Sequence, residues 1–381
     1  MGVGWWNCFS QIRERIQELE AEVRSLKSDI EKLGSEIAAD NKDLRFFLKK
    51  LQIDIKVNRQ LIREKTMVYD IRFEQAFYKG SFDRDFESDP DFPQRFERLI
   101  SGLDRQSIQN VIQMLRRRWA FVKGKATRIE MFTSEEQEKI DSIQQHFKSN
   151  IFQLTDSLFF YNGYEKGYYL PKNYFSASVF IDRHALGLVE DLNAVRSGNI
   201  IDAGAFIGDS ALILSDYTDC SVYSFEAIPD NYKMLLRTIE LNRLTNVVAE
   251  NLALSDTSKT LEMYVSKSGS SSTVYQRYNT EYSAHISVPA ITIDDYVEKN
   301  HLKVSLIKTD VEGAEQDLLR GAQNTIQKQR PVLLISIYHN ESDFFDIKPK
   351  LEALNLGYKF KIHKPVYGSA IIEAMLVAEV R

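Results

Sequence analysis

The segment Asn199 to Leu212, NIIDAGAFIGDSAL, most restricts the folds open to this chain, because an apolar strand there runs through Asp202, Gly204 and Gly208 straight into a helix. Such a reversal beside a ligand needs residues without side-chain bulk: Gly204 lets the backbone approach the ligand, and Gly208 lets the helix start pack against the strand. Asp202, at the strand end, is suited to bind the ammonium of an amino-acid-like ligand. A second apolar strand, Val222 to Phe225, ends in Glu226, 24 residues after Asp202. A carboxylate at that point can accept both hydroxyls of a ribose.

From Asn199 onward short apolar strands alternate with helical periodicity. Ile200-Ile201, Ser221–Phe225, Val247–Leu254, Ser305–Lys308 and Val332–Ile337 are the expected strands, and their alternation with helices predicts a parallel, doubly wound α/β sheet. The tail, Tyr358 to Ile362 and Ile371 to Val380, reads as two paired strands, giving that sheet an antiparallel C-terminal strand.

A third motif, LIKTDVEGAEQDLLRGA at Leu306 to Ala322, ends a strand in Asp310, Glu312 and Glu315 around Gly313. Together with DAGAFIGDS, FEAIPDNY and NLALSD it resembles the FkbM family of methyltransferases, over about Asn199 to Tyr338, and the tail fits the class I methyltransferase plan, a Rossmann-like sheet. The resemblance implies S-adenosyl-L-methionine as cofactor. It implies that Asp202, Gly204, Ala205, Phe206 and Gly208 surround its methionine part, with Ser210 also among the cofactor-binding residues. Glu226 would take the ribose, while Ala227 and Ile228 flank the adenine with Leu252, Ala253, Ser255 and Asp256 beside it. Asp310 would face the reacting centre as both cofactor-binding and catalytic residue. Phe206 stands where such loops commonly carry Asn, which removes one polar contact.

Methyl transfer from an activated sulfonium asks the protein to align donor and acceptor and to handle one proton. Asp310, Glu312 and His339 stand at the carboxyl ends of central strands and are the catalytic candidates. His339, with an ordinary pKa of ~6.5, is the natural proton acceptor; a histidine hydrogen-bonded in the pocket wall is the competing reading. No metal is assigned, oxygen ligation of a divalent cation by the acids being the weaker alternative. O-methylation of a sugar or other small-molecule hydroxyl, in glycan or secondary-metabolite biosynthesis, is the expected function. A nicotinamide-dependent oxidoreductase is the rival enzyme, disfavoured because the glycines follow Gly-x-x-x-Gly. A non-enzymatic coiled-coil scaffold with a degenerate cofactor fold is the other.

Upstream, Ile12, Ile16, Leu19, Val23, Leu26, Ile30, Leu33 and Ile37 form an a/d heptad seam, which predicts a coiled coil and a homo-oligomer. The seam falters at Asp40-Asn41 and resumes through Leu44, Leu48, Leu51 and Ile55, like a stutter. The expected organisation is a stalk over 1–75, a linker over 76–93, a small helical and aromatic middle region over 94–197 and the methyltransferase domain over 198–381. Asp104 and the box Thr133-Ser134-Glu135-Glu136 cap helices in the middle region. Phe159 to Phe175 is rich in aromatics, either roofing a pocket or packed against a domain face. Arg116-Arg117-Arg118 reads as the solvated face of a helix, and Gly269 to Thr273 as a flexible connection. Net charge is -5 over 381 residues, which gives no positive field for nucleic acid. With two cysteines far apart and no apolar run long enough to span a bilayer, neither a disulfide framework nor a transmembrane segment is expected, and the location expected is cytoplasmic.

Overall fold

Strands that read as unbroken apolar runs are those buried on both faces, and three such runs build the centre of this fold. The computed structural model describes residues 89–122, 133–163, 166–266, 273–274, 282–365 and 370–380. The heptad seam, the stalk and all but the end of the linker lie outside the described residues. In chain order, helices α1 (Phe92–Ile100), α2 (Arg105–Val122) and α3 (Ser134–Lys148) precede strands β1 (Ile151–Thr155), β2 (Leu158–Asn162) and β3 (Gly167–Leu170). Short helices α4 (Ala177–Phe180) and α5 (Leu192–Arg196) lead to β4 (Asn199–Ala203), α6 (Asp209–Leu214), β5 (Val222–Phe225), α7 (Pro229–Asn242) and β6 (Val247–Glu250). Next come β7 (Ala253–Leu254), β8 (Lys259–Ser266), β9 (Tyr282–Ile291) and α8 (Ile293–Lys299). The chain closes with β10 (Val304–Thr309), α9 (Glu315–Arg320), α10 (Gln323–Gln329), β11 (Val332–Ser336), α11 (Glu341–Glu352), β12 (Tyr358–His363) and β13 (Met375–Val380).

The main sheet has seven strands in the order β12-β13-β11-β10-β4-β5-β6. β11, β10, β4, β5 and β6 run parallel, and β13 enters antiparallel between β11 and β12. This is the expected doubly wound sheet with an antiparallel C-terminal strand. From β4 the chain winds outward through β5 and β6, then crosses back to β10 on the other side of β4. Ligands bind at the carboxyl ends of strands where the winding reverses, here between β4 and β10. Every residue of β11 is buried, and all but one in β10 and in β4.

One expected strand proves to be two. Val247–Leu254 breaks at Asn251, whose amide donates to the carbonyls of Glu226 and Ala227, and β7 leaves the main sheet to pair with β9. β8 and β9 form a long antiparallel hairpin completing this second sheet.

The middle region holds a three-stranded antiparallel sheet, β1-β2-β3, besides its helices. Its aromatics pack into the core of the main sheet: Tyr161, Tyr168 and Phe180 lie in one cluster with Ile200, Leu306 and Val377. Face packing, rather than a pocket roof, is their role. Residues 89–197 also seal the sheet edge at β12, where Ser107 accepts from the amide of Ile362 at 2.9 Å and Asn110 donates to its carbonyl at 2.8 Å. Pairing off an edge strand in this way blocks association with a foreign strand. The described residues thus belong to one compact unit that runs across the expected 197/198 boundary.

Both expected caps are present, Asp104 accepting from Ser107 N at 2.7 Å and Thr133 with Glu136 forming a full capping box. The arginine run departs from expectation. Arg116 is exposed, but Arg117 and Arg118 are 8% and 2% exposed, and Arg117 pairs with Glu136 at 2.6 Å. A partner carboxylate on the next helix makes burial of that charge tolerable. No helix among the described residues is long and apolar enough to cross a membrane.

Candidate active site

A solvent-open cleft lies at the carboxyl ends of β4, β5 and β10, where ligands bind in open parallel sheets. One wall is apolar: Ile228 after β5, Leu252 to Leu254 around β7, and Leu261 and Met263 from the hairpin. The acidic lining residues are Glu226, Asp310, Glu312 and Asp317.

Glu226 ends β5 only 6% exposed. Its two oxygens accept the backbone N–H of Phe206 at 2.9 Å and of Ile228 at 2.8 Å. Phe206 is itself held at φ +47°, a left-handed conformation that the bond to Glu226 helps secure. Burial pushes the Glu226 carboxyl up to about 7, against the pull of these hydrogen bonds.

Asp202 departs from expectation. It is fully buried and does not line the cleft. One oxygen accepts from Ser210 at 2.8 Å and Ser224 at 3.2 Å, and the other lies 3.1 Å from the ammonium of Lys308. Lys308, in the middle of β10 and 2% exposed, also donates to the carbonyl of Gly204 at 2.9 Å. Burial alone would lower its pKa, but Asp202, Asp310 and Asp209 raise it above the ordinary lysine value. Asp202 therefore holds an internal cation, and through Lys308 it fixes the loop that faces the cleft.

The two glycines are needed for reasons other than those expected. A Cβ on Gly204, at φ +76°, would sit 2.0 Å from the carbonyl oxygen of Asp310, so the close approach is between two strand ends of the protein itself. A Cβ on Gly208, at φ +90°, would meet Leu235 at 2.8 Å and Thr238 at 3.2 Å, so this glycine admits α7 rather than a strand. Gly204→Ala is expected to cost about 3 kcal/mol, since a rigid backbone atom cannot yield to the added methyl. Denaturant unfolding measures this, and a loss below ~1 kcal/mol would mean the β4 and β10 ends separate freely.

Of the other expected cofactor residues, Gly204, Phe206, Glu226, Ala227, Ile228, Ala253 and Asp310 line the cleft, as do Leu252 and Ser255. Ala205, Gly208 and Ser210 do not. Ala205 is buried with Ala211 and Leu235, and Ser210 is spent on Asp202. Asp256 is turned to Lys259 at 2.8 Å. Within the expected flexible loop, Thr273 is buried and donates to the carbonyl of Glu312 at 2.8 Å, tying the hairpin to the acidic turn; Gly269 to Ser272 lie outside the described residues.

The three catalytic candidates do converge. His339 follows β11, 1% exposed, with Nε2 3.4 Å from Asp310 and 3.6 Å from Glu312, and Nδ1 2.9 Å from Glu315. Burial disfavours its charged form, but Glu315, Glu312 and Asp310 prevail and raise it to about 9. At neutral pH it is an imidazolium, so it does not serve as the free base that an ordinary histidine would be. Asp310 responds in the opposite sense: burial would raise it, while His339, Lys308 and His184 bring it below the usual carboxylate value. Tyr338 donates to Asp310 at 3.2 Å.

Sequence reasoning missed Lys308, Glu315 as a loop anchor, and His184. Glu315, fully buried, accepts from the amides of Val311 and Gly313, each at 2.9 Å. Lys308 was visible as a lone charge in an apolar strand. His184 gave no signal. It precedes the matched motifs, is 7% exposed, and burial with Lys308 lowers it to about 4.

Comparison with known proteins finds methyltransferases. The family described as Methyltransferase FkbM domain matches residues 202–360. Methyltransferase 1 of Beauveria bassiana is 26% identical, across 47% of this chain and 80% of its own length. Hexuronic acid methyltransferase AglP of Haloferax volcanii is 30% identical, across 35% of this chain and 53% of its own. The crystal structure of Methyltransferase FkbM from Methylobacillus flagellatus is 17% identical with a TM-score of 0.47, covering 77% of this chain. The present chain spans 60% of that one. Over residues 202–360, the segment that carries both strand-end motifs and the cleft between them, the chain matches the methyltransferase FkbM domain.

Proposed function

We propose that the cleft binds S-adenosylmethionine and that the enzyme methylates a hydroxyl of a sugar or similar small molecule. The observation that carries this reading is the charge of the cleft: Glu226, Asp310, Glu312 and Asp317 all line it, and among the described residues Lys259 is its sole basic lining residue. Such a field favours a sulfonium and an ammonium and opposes the pyrophosphate of a dinucleotide. It therefore disfavours a nicotinamide cofactor.

When bound, S-adenosylmethionine supplies an activated methyl group. Glu226 would accept the ribose hydroxyls, and the apolar lining residues Ile228, Leu252, Ala253 and Met263 would hold the adenine. Asp310 and Glu312 line the cleft at the end of β10, where they would accept a hydrogen bond from the acceptor hydroxyl and take up its proton. His339 acts as their fixed counter-charge. A sugar acceptor is supported by the hexuronic acid methyltransferase among the relatives.

Calorimetric titration of the cofactor and, separately, of NAD tests the reading. Micromolar binding of S-adenosylmethionine with none of NAD is expected; no binding of the former would overturn it. Ether products from hexuronate acceptors, and none from amines, would establish the oxygen specificity.

A further inference from the structure

We infer that β1 is a self-association edge, on which a second copy of this chain lays its own β1 antiparallel and so builds a continuous six-stranded sheet. β1 lies at the rim of the three-stranded sheet and pairs with β2 alone. Among the described residues no other segment hydrogen-bonds to it. Two other strand edges are closed by side chains. Asn242, at the end of α7, accepts from the amide of Tyr169 at 2.9 Å and donates to its carbonyl at 2.8 Å, which covers β3, the opposite rim of the same sheet. Ser107 and Asn110 do the same for β12. β1 receives no such cover among the described residues, so its outer backbone groups form a template for another strand.

The residues of β1 suit that use. Ile151–Thr155, IFQLT, holds neither a charged residue nor a proline, the devices that ordinarily protect a rim strand. Phe152 and Leu154 are 46% and 53% exposed, the two most exposed large apolar side chains among the described residues. Phe152 also ends an aromatic row across the sheet, 6.4 Å from Phe160, which lies 4.9 Å from Tyr169. The opposite face, with Tyr161 and Tyr168, is spent on the core. A row that stops at an open edge continues when the next strand presents the same aromatic.

Charge selects a second copy as the partner and fixes the register. Lys148 before β1 and Asp156 after it are both exposed, each four positions from Phe152, and among the described residues neither enters an ion pair. Centring the antiparallel pair on Phe152 sets the two phenylalanines opposite each other. It also brings Lys148 of each copy toward Asp156 of the other, at both ends. Each surface is then its own complement, as a two-fold interface requires. The same centre keeps the ladder on Ile151 to Gln153, where pairing with β2 is regular, and leaves the irregularity between Gln153 and Thr155 at its end. This edge is independent of the cleft and of the methyltransferase reading.

The test uses the full chain with Cys8 and Cys220 replaced by serine and a single cysteine introduced. Facing residues of antiparallel strands have Cα atoms ~4.5–5.5 Å apart, within the ~4.4–6.8 Å that a disulfide spans. Phe152→Cys is therefore expected to crosslink under diamide at least tenfold faster than Ser157→Cys, read by non-reducing gel electrophoresis. Ser157 is also exposed, but in this register its two copies stand on the order of 30 Å apart along the strands. Association through the heptad seam would raise both rates alike, so their ratio reads β1. Lys148→Glu sets like charges at both ends and should slow the Phe152→Cys crosslink at least threefold, and adding Asp156→Lys should restore it. All four positions are exposed, so the variants keep the fold. Equal rates for Phe152→Cys and Ser157→Cys would overturn the pairing, as would a rate indifferent to Lys148→Glu.

Discussion

Lys308→Met is expected to destabilise the fold by about 3–5 kcal/mol, the cost of leaving a buried carboxylate without its cation. Asp202 is fully buried and, among the described residues, would retain two serine hydroxyls as its donors. Methionine matches the lysine stem in volume, so the loss reports charge and hydrogen bonding rather than a cavity. The carbonyl of Gly204 would also lose its 2.9 Å donor, freeing the loop that carries Phe206. Urea unfolding of Lys308→Met, Asp202→Asn and the double variant measures the pair. The double variant should recover at least ~2 kcal/mol over the sum of the single losses. Additive losses would show that the two charges do not depend on each other.

The second large effect concerns Glu226. Its replacement by alanine should weaken S-adenosylmethionine about 100-fold, because hydrogen bonds to a charged acceptor contribute ~1.5–3 kcal/mol each and ~1.4 kcal/mol is a factor of ten. The wild type carries a further signature. Glu226 titrates at about 7 in the free protein, and ribose hydroxyls need the ionised form. Affinity should therefore be flat above that pH and fall up to tenfold per unit below it. The same raised value has the opposite sign for stability. The protonated carboxyl favours the folded state, so its contribution is complete below the unfolded value of ~4.3 and is lost as pH rises through about 7. Calorimetry from pH 5.5 to 8.5 on wild type and Glu226→Gln decides this: a slope that persists in the variant would assign the titration to another group.

Much of the candidate site was legible because strand-end chemistry is local. A run such as VYSFE or LIKTD announces both an apolar strand and the acid at its carboxyl end, and parallel strands must bring those ends to one side of the sheet. Glu226, Asp310, Glu312 and His339 were found in this way. Residues whose role depends on what lies across the fold were misread. Gly204 and Gly208 were correctly marked as places without room, but the groups that take up the room, the Asp310 carbonyl and Leu235, are distant in sequence. Arg117 looked like a surface charge until α3 brought Glu136 against it.

By itself the sequence determined the α/β alternation, the order of the motifs and the family resemblance they carry, since these depend on periodicity and on local motifs along one chain. Charge states and partners were decided only by the tertiary structure. His339 is ordinary in sequence, yet three carboxylates from the turn after β10 hold its proton to about pH 9. Asp202 reads as a ligand acid, yet a lysine more than 100 residues away claims it. Electrostatic energy depends on distance and burial in three dimensions, and neither is written in the local order of residues.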